Sequence, residues 1–124
     1  MTRSLERLWI VLGAAQGLAT VAMAALAAHG LSWLDPGQRA MLDRAVEIQG
    51  WHASVLVLCG VWAERGGGLA QLAGAAFAAG AVLFCGAVYL LALGGVSLGP
   101  TAPTGGILLM LGWALLGASG WRAR

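Results

Sequence analysis

A chain of 124 residues that is 60% apolar, holds 20 glycines and has only 10% charged residues cannot cover a soluble domain with a polar surface. Its mean hydropathy of +0.83 excludes disorder, and its length allows one domain rather than two. The formal charge of +2 comes from the chain ends, so it reads as membrane topology and not as nucleic-acid binding.

Four apolar runs approach the ~20 residues that a hydrocarbon core of ~30 Å requires. The first covers residues 8–28, with no charge and a single amide, Gln16. Its basic start and Ala-x-Ala steps also resemble a secretory signal, but the apolar stretch is longer than a usual signal core. A polar break at His29, Gly30, Ser32, Asp35, Pro36 and Gly37 follows. A helix is expected to restart at Pro36, with Asp35 as N-cap and proline at its first position. Its opening turns carry Arg39, Asp43, Arg44 and Glu47 and project outward; the second span is placed at residues 45–63. Glu64 to Gly68 reads as a tight polar turn. The third span, residues 69–93, is stopped by Gly94 and Gly95, and the fourth runs over residues 104–121. Short loops make neighbours antiparallel. The expected fold is all-α, an antiparallel four-helix transmembrane bundle formed by residues 1–124 as one domain.

Orientation follows from arginine, the only basic residue type apart from histidine. Arg3, Arg7, Arg65, Arg122 and Arg124 fall on one side, Arg39 and Arg44 on the other. The excess places both termini in the cytoplasm of a cell with an inner membrane. Trp9, Trp62 and Trp121 are then expected at the cytoplasmic interface, with Trp33 and Trp51 toward the other one, as an aromatic belt.

Lipid offers helices no hydrophobic reason to associate, so small residues must let them approach. Gly13 and Gly17 form a GxxxG step in the first span. Gly74 and Gly80 sit in small-residue rows of the third, and Gly105 and Gly112 share a face of the fourth. These six are the expected packing positions, within one bundle or across a homo-oligomer seam. Cys59 and Cys85 lie inside apolar runs and are read as small buried hydrophobes.

Ionisable and amide groups concentrate in the second span. Gln49 and His52 are one turn apart on a face shared with Ala45 and Leu56, and polar groups at such depth are costly enough to imply partners. Tyr89 is the one phenol available. A candidate polar site is therefore drawn around Gln49, His52, His29, Tyr89 and Glu47. It reads either as a proton-carrying or ligand site, or as polar residues satisfied within the bundle. No metal or cofactor is expected, because the two histidines have no ligand spacing around them. A phosphate loop, a nucleophile elbow and a zinc helix motif are likewise missing, so no enzymatic activity is expected.

Three stretches carry a resemblance. They are Ala27-Ala28-His29-Gly30-Leu31; Ala45-Val46 with Gln49 and Trp51-His52-Ala53; and Leu83-Phe84-Cys85-Gly86 and Tyr89 to Leu93 with Pro103-Thr104-Gly105-Gly106 and Gly112-Trp113. In this order and spacing the chain resembles the small four-span membrane proteins grouped as domain of unknown function 423. The resemblance implies a multi-pass bacterial inner-membrane protein and implies no activity. Two positions depart from the family pattern. Ala102 stands where the family has a threonine before the proline that opens span four, which implies a lost N-cap. Ile48 stands where the family has an aromatic residue before the amide.

Three functional classes follow. The first, and preferred, is a structural or accessory subunit that packs in the lipid bilayer against a larger membrane complex. The second is a small dimeric transporter or channel, which would want an acidic residue at mid-span; Glu47 and Glu64 both lie near span ends. The third is a haem- or quinone-linked redox subunit using His29 and His52.

Overall fold

In the computed structural model, which describes residues 2–123, the chain forms three α-helices: α1 (Thr2–His29), α2 (Pro36–Gly94) and α3 (Thr101–Arg122). The fold is all-α, but the expected second and third helices are one 59-residue element. The chain turns within the polar stretch from Glu64 to Gly68, but the turn is narrower than five residues: helical geometry runs up to it from both sides, and only Gly67 leaves it, at φ 60° and ψ −147°. That combination lies close to a region that essentially only glycine occupies, because any Cβ would clash with its own backbone. One residue thereby reverses the chain. Cys85 Sγ reaches the Ala45 carbonyl, 40 residues earlier, at 3.6 Å. A straight helix would hold those residues ~60 Å apart.

Gly67→Ala should therefore destabilise the protein by ~1–3 kcal/mol through backbone strain. Its neighbour Gly68 has open space around it and no positive φ. Gly68→Ala should be neutral or slightly stabilising, as expected at an exposed helical site. Reversible unfolding in mixed micelles reads both; equal effects would show that the reversal is not held at Gly67.

The helix ends are built from local chemistry. Asp35 and Gln38 form a reciprocal capping box, the Asp35 side chain accepting from the Gln38 N–H at 2.7 Å and the Gln38 side chain accepting from the Asp35 N–H at 3.0 Å. Gly95, at φ 65°, closes α2 with its own N–H on the Leu91 carbonyl and the Val96 N–H on the Leu90 carbonyl. Arg39 reaches across to the end of α1. It donates to the Ala27 and Leu31 carbonyls, both at 2.8 Å, and so finishes the end of α1 from a different helix. His29, the last residue of α1, is exposed.

α3 begins at Thr101, three residues before the expected start. Its N-cap is Pro100, with no side-chain cap, and the Thr101 hydroxyl donates backward to Leu98. Ala102 is thus already inside the helix and not at the cap. A threonine there would have no orphan amide to cap, so the lost-cap expectation is corrected.

The two arms of α2, residues 36–66 and 68–94, form the centre. α1 lies antiparallel to the first arm, with Glu6 and Ile10 at Gly60, Gly13 at Val57 and Thr20 at Gly50. It runs parallel to the second, with Trp9 on Gly74. α3 lies along both arms from another side, with Gly112 on Phe77 and Gly105 on Gly80 and Phe84. Among the described residues the backbones of α1 and α3 stay apart. The core runs along the α2 seam: Leu56 and Cys59 of the first arm meet Ala73, Phe77 and Ala81 of the second, with Trp9 and Leu109 added by the flanking helices. Both cysteines are free and buried.

Small residues set these approaches. A Cβ on Gly13, Gly74, Gly80 or Gly112 would lie 2.6–2.9 Å from a neighbouring helix, and on Gly105 it would meet the Phe84 backbone. Gly17 is different, with its nearest neighbour at 4.0 Å, an ordinary contact. Gly60, outside the expected set, is as tight as Gly13, at 2.6 Å from the Glu6 carbonyl.

Two of the tryptophans expected in the aromatic belt also pack between helices. Trp9 is buried, donating to Gln71 Oε1 at 2.6 Å, and Trp62 is half-buried, donating to Ser119 Oγ at 3.0 Å. Both are packing elements between helices, where an indole supplies area and a single donor. Trp33 and Trp121 are exposed. Large apolar side chains on every helix, among them Leu18, Val61, Val82 and Met110, also face outward, as lipid-contacting residues do.

Candidate functional site

Gln49 and His52 are buried in the first arm of α2, with 6% and 5% of their surface exposed. His52 lies about midway between Pro36 and Gly67. The two residues do not make one site. Successive helical positions rotate by ~100°, so residues three apart diverge by ~60°. On this crowded arm that angle sends the two side chains into different grooves.

Gln49 faces α1 and the second arm. Its Nε2 donates to Gln16 Oε1 at 2.7 Å, and its Oε1 accepts from the Tyr89 hydroxyl. Three helical segments are thus joined by one carboxamide, which is suited to this because it carries donor and acceptor side by side. His52 faces α3. Its Nδ1–H donates to the Ile48 carbonyl at 2.6 Å, and its Nε2 accepts from Trp113 Nε1–H at 3.1 Å. An indole can only donate, which assigns the ring proton to Nδ1. Phe77 completes an aromatic cluster, with its ring centre 5.7 Å from that of His52 and 5.3 Å from that of Trp113.

Of the expected site residues, the structure brings together Gln49 with Tyr89, and places His52 with Trp113 and Phe77. Tyr89 partners Gln49 and not His52. His29 is exposed at the end of α1, apart from both groups. Glu47 is exposed and lines a shallow cleft with Arg39, Asp43, Ala24 and Ala28, also apart from both. Among the described residues no buried side-chain polar atom lacks a partner, and no three His, Cys, Asp or Glu side chains gather at one point.

Sequence reasoning missed Gln16, Trp113 and Phe77 as members. Gln16 had a signal, being the only amide in an otherwise apolar span. Trp113 and Phe77 had none, since buried aromatic residues at helical spacing look alike whatever they touch.

A doubled-back helix of small residues, flanked by two apolar helices and closing its polar groups inside, defines an integral α-helical membrane protein. The chain belongs to the family described as protein of unknown function (DUF423), which it matches over residues 23–106. It is 31% identical over 112 residues to a UPF0382 membrane protein of Staphylococcus aureus, covering 89% of this chain and 92% of the relative. It is 31% identical over 114 residues to the UPF0382 membrane protein YwdK of Bacillus subtilis, covering 89% and 93%. A Haemophilus influenzae UPF0382 membrane protein is 30% identical over 118 residues, covering 94% and 95%. No solved structure matches the chain.

Proposed function

We propose that this protein is a non-enzymatic accessory subunit that crosses the inner membrane four times and packs against a larger membrane complex. Each arm of α2, at ~1.5 Å per residue, is longer than the hydrocarbon core and would cross it once, with α1 and α3 as the other crossings. The exposed Arg3, Arg7, Arg65 and Arg122 lie at the end of the bundle that holds Gly67, and Arg44 lies at the other, with Arg39 bound to carbonyls. Arg124, the fifth residue of the cytoplasmic count, lies outside the described residues. This excess of arginine at one end supports a cytoplasmic position for both termini. Reporter fusions at residue 124 and at Gly67 should both give cytoplasmic signals; a periplasmic C-terminus would overturn the four-crossing orientation.

The observation that carries the accessory role is the commitment of the interior polar groups to one another. Gln49, Tyr89 and His52 bond within the chain, while the outer faces of all three helices are apolar. A haem reading would need a free imidazole nitrogen, and both nitrogens of His52 are engaged. The test is affinity isolation of the tagged chain from gently solubilised membranes. A larger complex of fixed stoichiometry is expected. Recovery of this chain without another protein, in any oligomeric state, would overturn the role.

A further inference from the structure

The polar chain that starts at Tyr89 does not end inside the protein. The Tyr89 hydroxyl donates to Gln49 and Gln49 donates to Gln16 Oε1, which leaves the two N–H bonds of Gln16 Nε2 with no acceptor among the described residues. Turning both amides over changes the free end from donor to acceptor but still leaves one end of Gln16 open. Gln71 differs in its setting. That amide also binds through one end only, to Trp9, but it sits one turn from the Gly67 reversal, which the four-crossing reading puts at the water interface. Gln16 stands midway along α1, where a bilayer supplies no water to take its place.

The amide is reachable from outside. Gln16 is only partly buried and, with Gln49, Leu12, Ala15 and Ala19, lines an open cleft of about 270 Å³ on the flank of α1. Ala15 and Ala19, spaced four apart beside it, leave room for another helix backbone to come close. α1 is also the least buried of the three helices, with 11% of its most apolar stretch covered.

We propose that a second copy of this chain fills that cleft, two α1 helices pairing about a two-fold axis through reciprocal Gln16 carboxamides. The occupant follows from the chemistry of the open group. Gln16 Oε1 keeps a lone pair after accepting from Gln49, and its Nε2 keeps its protons. Each Gln16 thus offers the other what it lacks, the self-complementarity that a two-fold interface requires. The proposal rests on α1 crossing the bilayer, and it does not depend on a larger partner.

Energy transfer between labelled copies of the full chain in liposomes tests it, across a range of protein-to-lipid ratios. Wild type should self-associate, and Gln16→Leu should weaken association by about tenfold, as expected from losing two reciprocal hydrogen bonds of average strength in lipid. Gln16→Leu also removes an internal bond, so Ala15→Leu serves as the second variant. It leaves the Tyr89–Gln49–Gln16 chain intact, blocks close approach, and should weaken association as much. Ile107→Ala, on the outward face of α3, should change nothing. A monomeric wild type, or association indifferent to both α1 variants, would overturn the proposal. Either result leaves the affinity isolation of a larger complex to be judged separately.

Discussion

Gly105→Ala is expected to destabilise the protein by about 2 kcal/mol, although alanine is the better helix former by ~1 kcal/mol. The added Cβ would fall on the Phe84 backbone and 2.9 Å from the Gly80 carbonyl. Backbone atoms of a packed helix cannot rotate aside as a side chain can, so α3 must move off the second arm of α2. That shift would also loosen Gly112 on Phe77 and the Trp113–His52 bond, which lie along the same contact. Gly17→Ala is the control. Its Cβ would find Ala53 at 4.0 Å, so the propensity gain should stand and the variant should be neutral or up to ~1 kcal/mol more stable. Unfolding in mixed detergent micelles measures both. Equal losses would mean that the α2–α3 approach is looser than described.

Gln49→Leu is expected to cost about 2 kcal/mol, because one substitution removes two interhelical bonds and side-chain hydrogen bonds in membrane proteins reach ~1–2 kcal/mol at most. The Tyr89 hydroxyl and Gln16 Oε1 would both lose their partner in a place where water does not replace it. The same substitution in a Tyr89→Phe background should cost roughly half as much, since the hydroxyl is already gone. Additivity of the two variants would show that Gln49 and Tyr89 are not coupled. His52→Leu should have a smaller effect, near ~1 kcal/mol, because only the Trp113 indole N–H is left unpaired.

Much of the fold is legible in the chain because the signals are local. Apolar run length marks the membrane helices, Asp35-Pro36 with Gln38 writes a helix start, and Gly94-Gly95 writes a helix stop; each depends on residues within one turn of itself. The same locality explains the errors. Glu64 to Gly68 reads as a turn of several residues, yet helical geometry continues on both sides of Gly67, and only its backbone angles show that one residue makes the reversal. Thr101 and Pro103 left the start of α3 three residues uncertain because no capping side chain marks it.

The site was legible as residue types but not as pairs. That Gln49 and His52 needed partners followed from the cost of polar groups in an apolar span. Which partners they found depended on how the first arm of α2 is rotated between α1 and α3, a quantity set by the summed fit of Gly13, Gly60, Gly80, Gly105 and Gly112 against their neighbours. Gly13 and Gly17 are equivalent in sequence, four residues apart in one motif, yet one touches Val57 and the other touches nothing closely. The sequence by itself determined an apolar, small-residue chain that must live in a membrane and close its few polar groups. Only the tertiary structure decided that Tyr89 would meet Gln49, that Trp113 would meet His52, and that Arg39 would finish a helix other than its own. Those pairings join residues 12–61 positions apart, and no local preference reaches that far.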